Sequence, residues 1–155
     1  MKRILHLPVL CLLFLCIVNV SFAQVIQGTY AIKNVQTGML LRIKDANGKN
    51  GTPLVAYNPV NWKCMTWDFK HVDGQTYQLK NLFTSKTFQP IKESATDGVL
   101  LEQQPLVADK INQQYEFITV EKNIYLIKAK GTDLYLTPVD KDGTTDTGIM
   151  LEKNN

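Results

Sequence analysis

Tyr30, Tyr77 and Tyr125 stand 47 and 48 residues apart, and Lys33, Lys80 and Lys128 keep the same spacing. A period that regular means one structural unit used three times, and it restricts the chain to repeat architectures. The unit is clearest in Met65–Asn81, where Trp67 and Phe69 alternate, Asp73-Gly74 breaks the run, and Tyr77 and Leu79 alternate again. Alternation on both sides of a Gly-containing break predicts a β-hairpin. Gln113–Phe117 followed by Ile124–Lys128 repeats the hairpin, and Gly28–Asn34 supplies its second half once more.

Along the chain each unit predicts four short strands. The first has Tyr30 to Val35, Met39–Ile43, Leu54–Tyr57 and Met65–Phe69, with Asn47-Gly48 and Asn50-Gly51 marking the turn between the middle pair. The second has Tyr77–Leu79, Thr87–Ile91, Val99–Gln103 and Gln113–Ile118. The third has Tyr125–Ile127, Leu134–Val139 and Gly148–Glu152, after which the sequence ends at Asn155. No stretch after residue 23 keeps a 3.6-residue apolar period, so the class is all-β. Three such units specify a β-trefoil, a six-stranded barrel capped by three hairpins, whose last repeat lacks its fourth strand. The repeats fall at about 28–74, 75–122 and 123–155. The barrel would then carry two unpaired edges, and an exposed edge invites another strand. A tail beyond this sequence, a strand from another chain, or partial closure by Gln24–Gln27 would each answer that gap.

Residues 1–23 stand apart. Lys2 and Arg3 precede an apolar run from Val9 to Val18, and Ser21-Phe22-Ala23 ends it. This is the pattern of a secretory signal peptide, and the run is shorter than the ~18–20 residues that cross a bilayer. The expected mature domain is 24–155, exported to the outside of the cell or to a periplasm. Cleavage removes Lys2 and Arg3 and no acidic residue, which lowers the net charge from +3 to +1. That balance gives no reason to expect nucleic acid or, after cleavage, a membrane as partner. Cys11 and Cys16 leave as well, so Cys64 has no intrachain partner and the core must hold the fold.

The recurring residues carry a family resemblance. Tyr-x-Ile/Leu-Lys-Asn, a Thr/Ser-Gly-type turn, Leu-x-Val/Pro, Gly-x-x-Leu and then Gln-x-Trp/Tyr-x-Phe resemble the ricin B-type lectin domain over essentially all of Gly28–Asn155. The Gln-x-Trp signature stands as Gln113-Gln114-Tyr115 in the second unit and as Met65-Thr66-Trp67 in the first. The resemblance implies sugar pockets built from an acidic residue in the second strand, an aromatic at the end of the third and an Asn-Gln pair entering the fourth. A carboxylate or amide takes hydrogen bonds from sugar hydroxyls, and a ring stacks on the apolar C–H face.

Carried over position by position, the first unit has Arg42 at the acidic position with Asp45 nearby, Tyr57 as the aromatic, and Cys64-Met65 in place of the amide pair. The second has Gln89 at the acidic position, Gln103 or Gln104 at the aromatic one, and the pair intact as Asn112-Gln113. The third has Thr137 and ends before the pair. The implied sugar-binding candidates are Asp45, Tyr57, Asn58, Trp62, Gln89, Asn112 and Gln113. Trp62 has no periodic reason to be in the core, lying in the loop Asn58–Lys63. Tyr57 reads either as a stacking platform or as a half-exposed strand residue, and Asn112 and Gln113 either line a pocket or close a turn on backbone groups. Trp67 and Tyr115 hold the core position.

The expected function is therefore a secreted, non-enzymatic carbohydrate-binding module with glycans or glycoconjugates as partners. The alternative is a protein-binding trefoil of the protease-inhibitor type, since fold alone does not choose. His71 has no companion at catalytic spacing. Neither Cys64 nor the aspartates of 140–146 have metal-ligand spacing, and no cofactor or metal is called for.

Overall fold

A computed structural model describes residues 25–154. The segment read as a signal peptide lies outside the described residues. The described residues are all-β, as their alternation requires. Eleven strands follow in order: β1 (Thr29–Ala31), β2 (Leu40–Ile43), β3 (Leu54–Tyr57), β4 (Thr66–Asp73), β5 (Thr76–Asn81), β6 (Thr87–Pro90), β7 (Val99–Gln104), β8 (Tyr115–Glu121), β9 (Ile124–Ala129), β10 (Leu134–Pro138) and β11 (Ile149–Lys153). The hairpin strands β4, β5, β8 and β9 run longer than the alternation predicts. The ladders continue to the hairpin tips, where Asp73 pairs with Thr76 and Glu121 with Ile124, past a bulge near Asp73 and another near Glu121.

Two layers result. Strands β1, β4, β5, β8 and β9 pair side by side in antiparallel register and form the wall. The hairpins β2–β3, β6–β7 and β10–β11 form the cap. The cap locks across units: Val55 bridges Gly148, Pro53 bridges Glu102, and Leu151 pairs with Val99. Among the described residues no strand stands between β9 and β1, the position expected for a fourth strand of the third unit.

The core sits where wall and cap meet. Trp67 and Tyr115 are fully buried, as expected, together with Tyr77, Leu79, Phe88, Leu54, Leu101 and Leu151. The Trp67 indole N–H donates to the Leu41 carbonyl (3.1 Å), and the Tyr115 hydroxyl donates to the equivalent Phe88 carbonyl (3.3 Å). Each ring thus pins a wall strand to its cap hairpin while burying its apolar surface. Burial also raises the Tyr115 hydroxyl well above its ordinary pKa. Cys64 is a buried free thiol beside Met65 and Leu40.

Four single-turn 3-10 segments, Lys44–Ala46, Lys63–Met65, Ile91–Glu93 and Ile111–Gln113, interrupt what the alternation reads as strand or loop. They come in equivalent pairs, one following the second strand of a unit and one preceding the fourth. Asp45, Ala46, Lys92 and Glu93 all adopt positive φ between 52° and 60°. The chain thereby turns outward at the rim of each cap hairpin, and this places the polar side chains of the candidate site.

Candidate functional site

In the first unit the rim gathers three planar groups. Tyr57 ends β3 half-buried, and its ring centroid lies 6.1 Å from that of Trp62, which is 47% exposed. The Arg42 guanidinium, from β2, rests 4.0 Å above the Tyr57 ring and 5.5 Å from the Trp62 ring. Arg42 is buried, yet its Nε has no hydrogen-bond partner, and its charge is met by Asp45 (3.9 Å) and Asp146 (3.7 Å). Stacking on the rings and two carboxylates at ion-pair distance offset the cost of burying it. Arg42 therefore covers one face of Tyr57, and Trp62 offers the freer ring. Asp45 is 70% exposed and holds its carboxylate at the edge of this cluster. Asn58 donates to the Thr145 hydroxyl (3.0 Å), which ties the Trp62 loop to the third unit.

The second unit spends equivalent positions differently. Gln113 is fully buried: its Nε2 donates to Gln89 Oε1 (2.9 Å) and to the Pro105 carbonyl (3.0 Å), and its Oε1 accepts from the Val107 amide (2.9 Å). Gln89 is buried against it. These two amides face each other inside the fold and close the loop that follows β7. Asn112 is only partly buried, and it donates to the Glu93 carbonyl (3.2 Å) while its Oδ1 has no partner. Glu93 and Lys110 form an ion pair of 2.6 Å beside it. The Lys110 ammonium, and then the Gln89 amide, hydrogen-bond the Glu93 carboxylate and hold its pKa below the usual glutamate value.

The structure thus brings Asp45, Tyr57, Asn58 and Trp62 together at one rim and Gln89, Asn112 and Gln113 at another. It also settles the residue that stands where Tyr57 does. Leu40 pairs with Tyr57 and Thr87 with Gln104, so Gln104 is the equivalent and Gln103 is not. Gln103 is buried instead, with its amide donating to the carbonyls of Asn47 (2.5 Å) and Lys49 (2.6 Å) in the first unit.

Several participants escape sequence reasoning. Glu93 follows Ala46 by 47 residues, so the repeat offset pointed to its place, but nothing in its type did. Arg42 breaks the acidic pattern, and only the fold shows it lying on Tyr57. The third unit carries a polar groove of about 280 Å³ whose lining includes Gln36, Thr137, Lys141 and Glu152, with Lys141 and Glu152 paired at 2.8 Å. Thr137 was visible there as the acidic-position equivalent; the groove itself depends on Gln36, more than 100 residues away in sequence. Among the described residues no cluster of three or more metal-ligating side chains forms. His71 is exposed on the β4–β5 hairpin, near the Gly74 carbonyl.

Three wall-and-cap repeats whose rims carry ring, carboxylate and amide side chains define a β-trefoil of the lectin type. The family model for the ricin-type beta-trefoil lectin domain-like family matches residues 20–104 and 63–152, and the chain belongs to that family. Solved structures give the same fold. The designed threefold-symmetric protein ThreeFoil superposes with a TM-score of 0.78 at 16% identity, over 83% of this chain and 91% of that one. The Rhizoctonia solani agglutinin gives 0.74 at 18% identity, over 86% and 90%. The Macrolepiota procera ricin B-like lectin, solved in complex with lactose, gives 0.68 at 19% identity, over 86% and 91%. No curated protein matches.

Proposed function

We propose that this chain is an exported, non-enzymatic carbohydrate-binding module that takes glycan at the rim of its first unit. The observation that carries the proposal is the half-exposed Trp62 ring beside Tyr57 and the exposed Asp45 carboxylate, on a scaffold of the lectin family. The ring supplies a stacking surface for sugar C–H groups. Asp45 accepts hydrogen bonds from hydroxyls. Asn58, held by Thr145, borders the same surface. In the second unit the Asn112 Oδ1 lacks a protein partner but is itself buried, and Gln89 and Gln113 are bonded to each other, so the first rim carries the reading. Ricin-type neighbours solved with lactose or GalNAc support a glycan as ligand. Export rests on the pattern of residues 1–23.

The deciding experiment is glycan-array binding by the purified, folded protein. Binding that disappears in Trp62→Ala and Tyr57→Ala places the site in the first unit. Binding that survives both and falls with Asn112→Ala moves it to the second. A folded protein that binds no glycan refutes the reading.

A further inference from the structure

Among the described residues the wall of the barrel contains two filled slots and one without a strand. In the first filled slot β4 lies between β1 and β5, and in the second β8 lies between β5 and β9. The occupant is clasped the same way in both. The Phe69 amide donates to the Gly28 carbonyl (3.0 Å) and the Phe117 amide to the Gln75 carbonyl (2.9 Å). At the other end, the Leu82 amide donates to the Thr66 carbonyl (2.9 Å) and the Lys130 amide to the Gln114 carbonyl (3.0 Å). Advancing both clasps by one repeat gives the Asn123 carbonyl and the Val35 amide. Asn123 and Val35 line an open groove of about 680 Å³ between β9 and β1.

The side chains show the same gap. Tyrosines of β1, β5 and β9 alternate with phenylalanines of β4 and β8 in a chain of edge-to-face contacts: Tyr30–Phe69 (5.7 Å), Phe69–Tyr77 (5.7 Å), Tyr77–Phe117 (5.4 Å) and Phe117–Tyr125 (5.7 Å). Tyr77 has a phenylalanine on both sides and is 0% exposed, whereas Tyr30, at one end of the chain, is 49% exposed. One ring between Tyr125 and Tyr30 would close the circle. Ile32 and Ile127, equivalent to the buried Leu79, also line the groove. Val25 and Ile26 border it too, the Ile26 amide donating to the Tyr77 hydroxyl (2.9 Å), and among the described residues none fills the groove beside them.

We propose that this groove is a strand-docking site for another polypeptide, which adds an extended segment antiparallel to β1 and β9. The occupant's chemistry follows from the residues in the filled slots, Trp67-Asp68-Phe69 and Tyr115-Glu116-Phe117: an aromatic, any residue that tolerates the outer face, then phenylalanine. Main-chain hydrogen bonds along both edges supply affinity, and the two inward rings supply selectivity. A second copy of this chain is a poor donor, because its own β4 and β8 are each paired on both edges and would have to leave their barrel.

The test uses the purified protein and a synthetic peptide copied from residues 113–120, Gln-Gln-Tyr-Glu-Phe-Ile-Thr-Val, with capped ends. Calorimetry and thermal melting should show one-to-one binding and a raised Tm. A peptide with aspartate at both ring positions should do neither. Methylating the backbone nitrogen of the peptide's phenylalanine removes the donor for Asn123 and should weaken binding by about tenfold, with no change to the protein. Val35→Pro removes the other clasp and should weaken it similarly in a protein that keeps its near-UV circular dichroism. Equal binding of native, aspartate and N-methyl peptides would overturn the proposal. So would no binding, and so would a dimer by light scattering whose groove is closed to the peptide.

Discussion

The rims of the first and second units begin from the same backbone and end in different states. At the first, two rings and a carboxylate reach solvent and a buried arginine braces them. At the second, two glutamines at family binding positions are buried and bonded to each other and to the main chain. A polar residue at a family position thus tells little until its partners are counted. Amides whose hydrogen-bonding groups are taken by the protein hold the loop in place, whereas a ring and a carboxylate at the edge remain free for a ligand.

The largest effect that would test this contrast is on stability. Gln113→Ala leaves the Val107 amide and the Gln89 Oε1 without their Gln113 partner inside the fold, and unfolding in urea should show a loss of about 3 kcal/mol. A neutral result would mean that the second rim is not a brace. Trp62→Ala should do the opposite: stability within about 0.5 kcal/mol of the parent, and glycan affinity down about tenfold by titration. Loss of both together would make Trp62 a packing residue and erase the difference between the rims.

Arg42→Met keeps the apolar stem and removes a guanidinium whose Nε has no partner. Denaturation should move by less than about 1 kcal/mol in either direction, because the lost ion pairs and the relieved desolvation oppose each other. The smallest effect concerns Glu93, whose folded pKa lies below the ordinary 4.5. A lowered carboxylate pKa stabilises above the ordinary value, and that share is lost as the pH falls through the folded value. Glu93→Gln should therefore differ from the parent by a constant amount at neutral pH. The difference should shrink below the ordinary value, as acid-unfolding curves would record.

Much of the architecture was legible in the sequence because two periods overlap there. The short one, two residues, marked the strands, and the long one, 47 to 48, marked the order in which they recur. Trp67 and Tyr115 were identifiable as core from their place in both. The 3-10 turns at Lys44–Ala46 and Ile91–Glu93 were not, since they depend on positive φ at Asp45, Ala46, Lys92 and Glu93, and alanine, lysine and glutamate rarely adopt it. Of the rim residues, the exposure of Trp62 could be inferred from a loop without periodicity. The burial of Gln89 and Gln113 could not, because a glutamine reads as polar whether its partner is water, a sugar or the chain itself. The position of Arg42 over Tyr57 depends on the register of β2 against β3, which leaves no local trace.

One feature of the cap bears on how such a chain can grow or shrink. Val55 bridges Gly148, and the Ala56 amide donates to the Thr147 carbonyl, so the first repeat is joined directly to the third. A solenoid of repeats tolerates the gain or loss of a unit, since each contacts only its neighbours. Here the arrangement is circular. A fourth unit would have no place to insert without opening the Val55–Gly148 bridge, and the loss of one would leave two hairpins without the third that closes them. The three cap hairpins therefore close only as a single set.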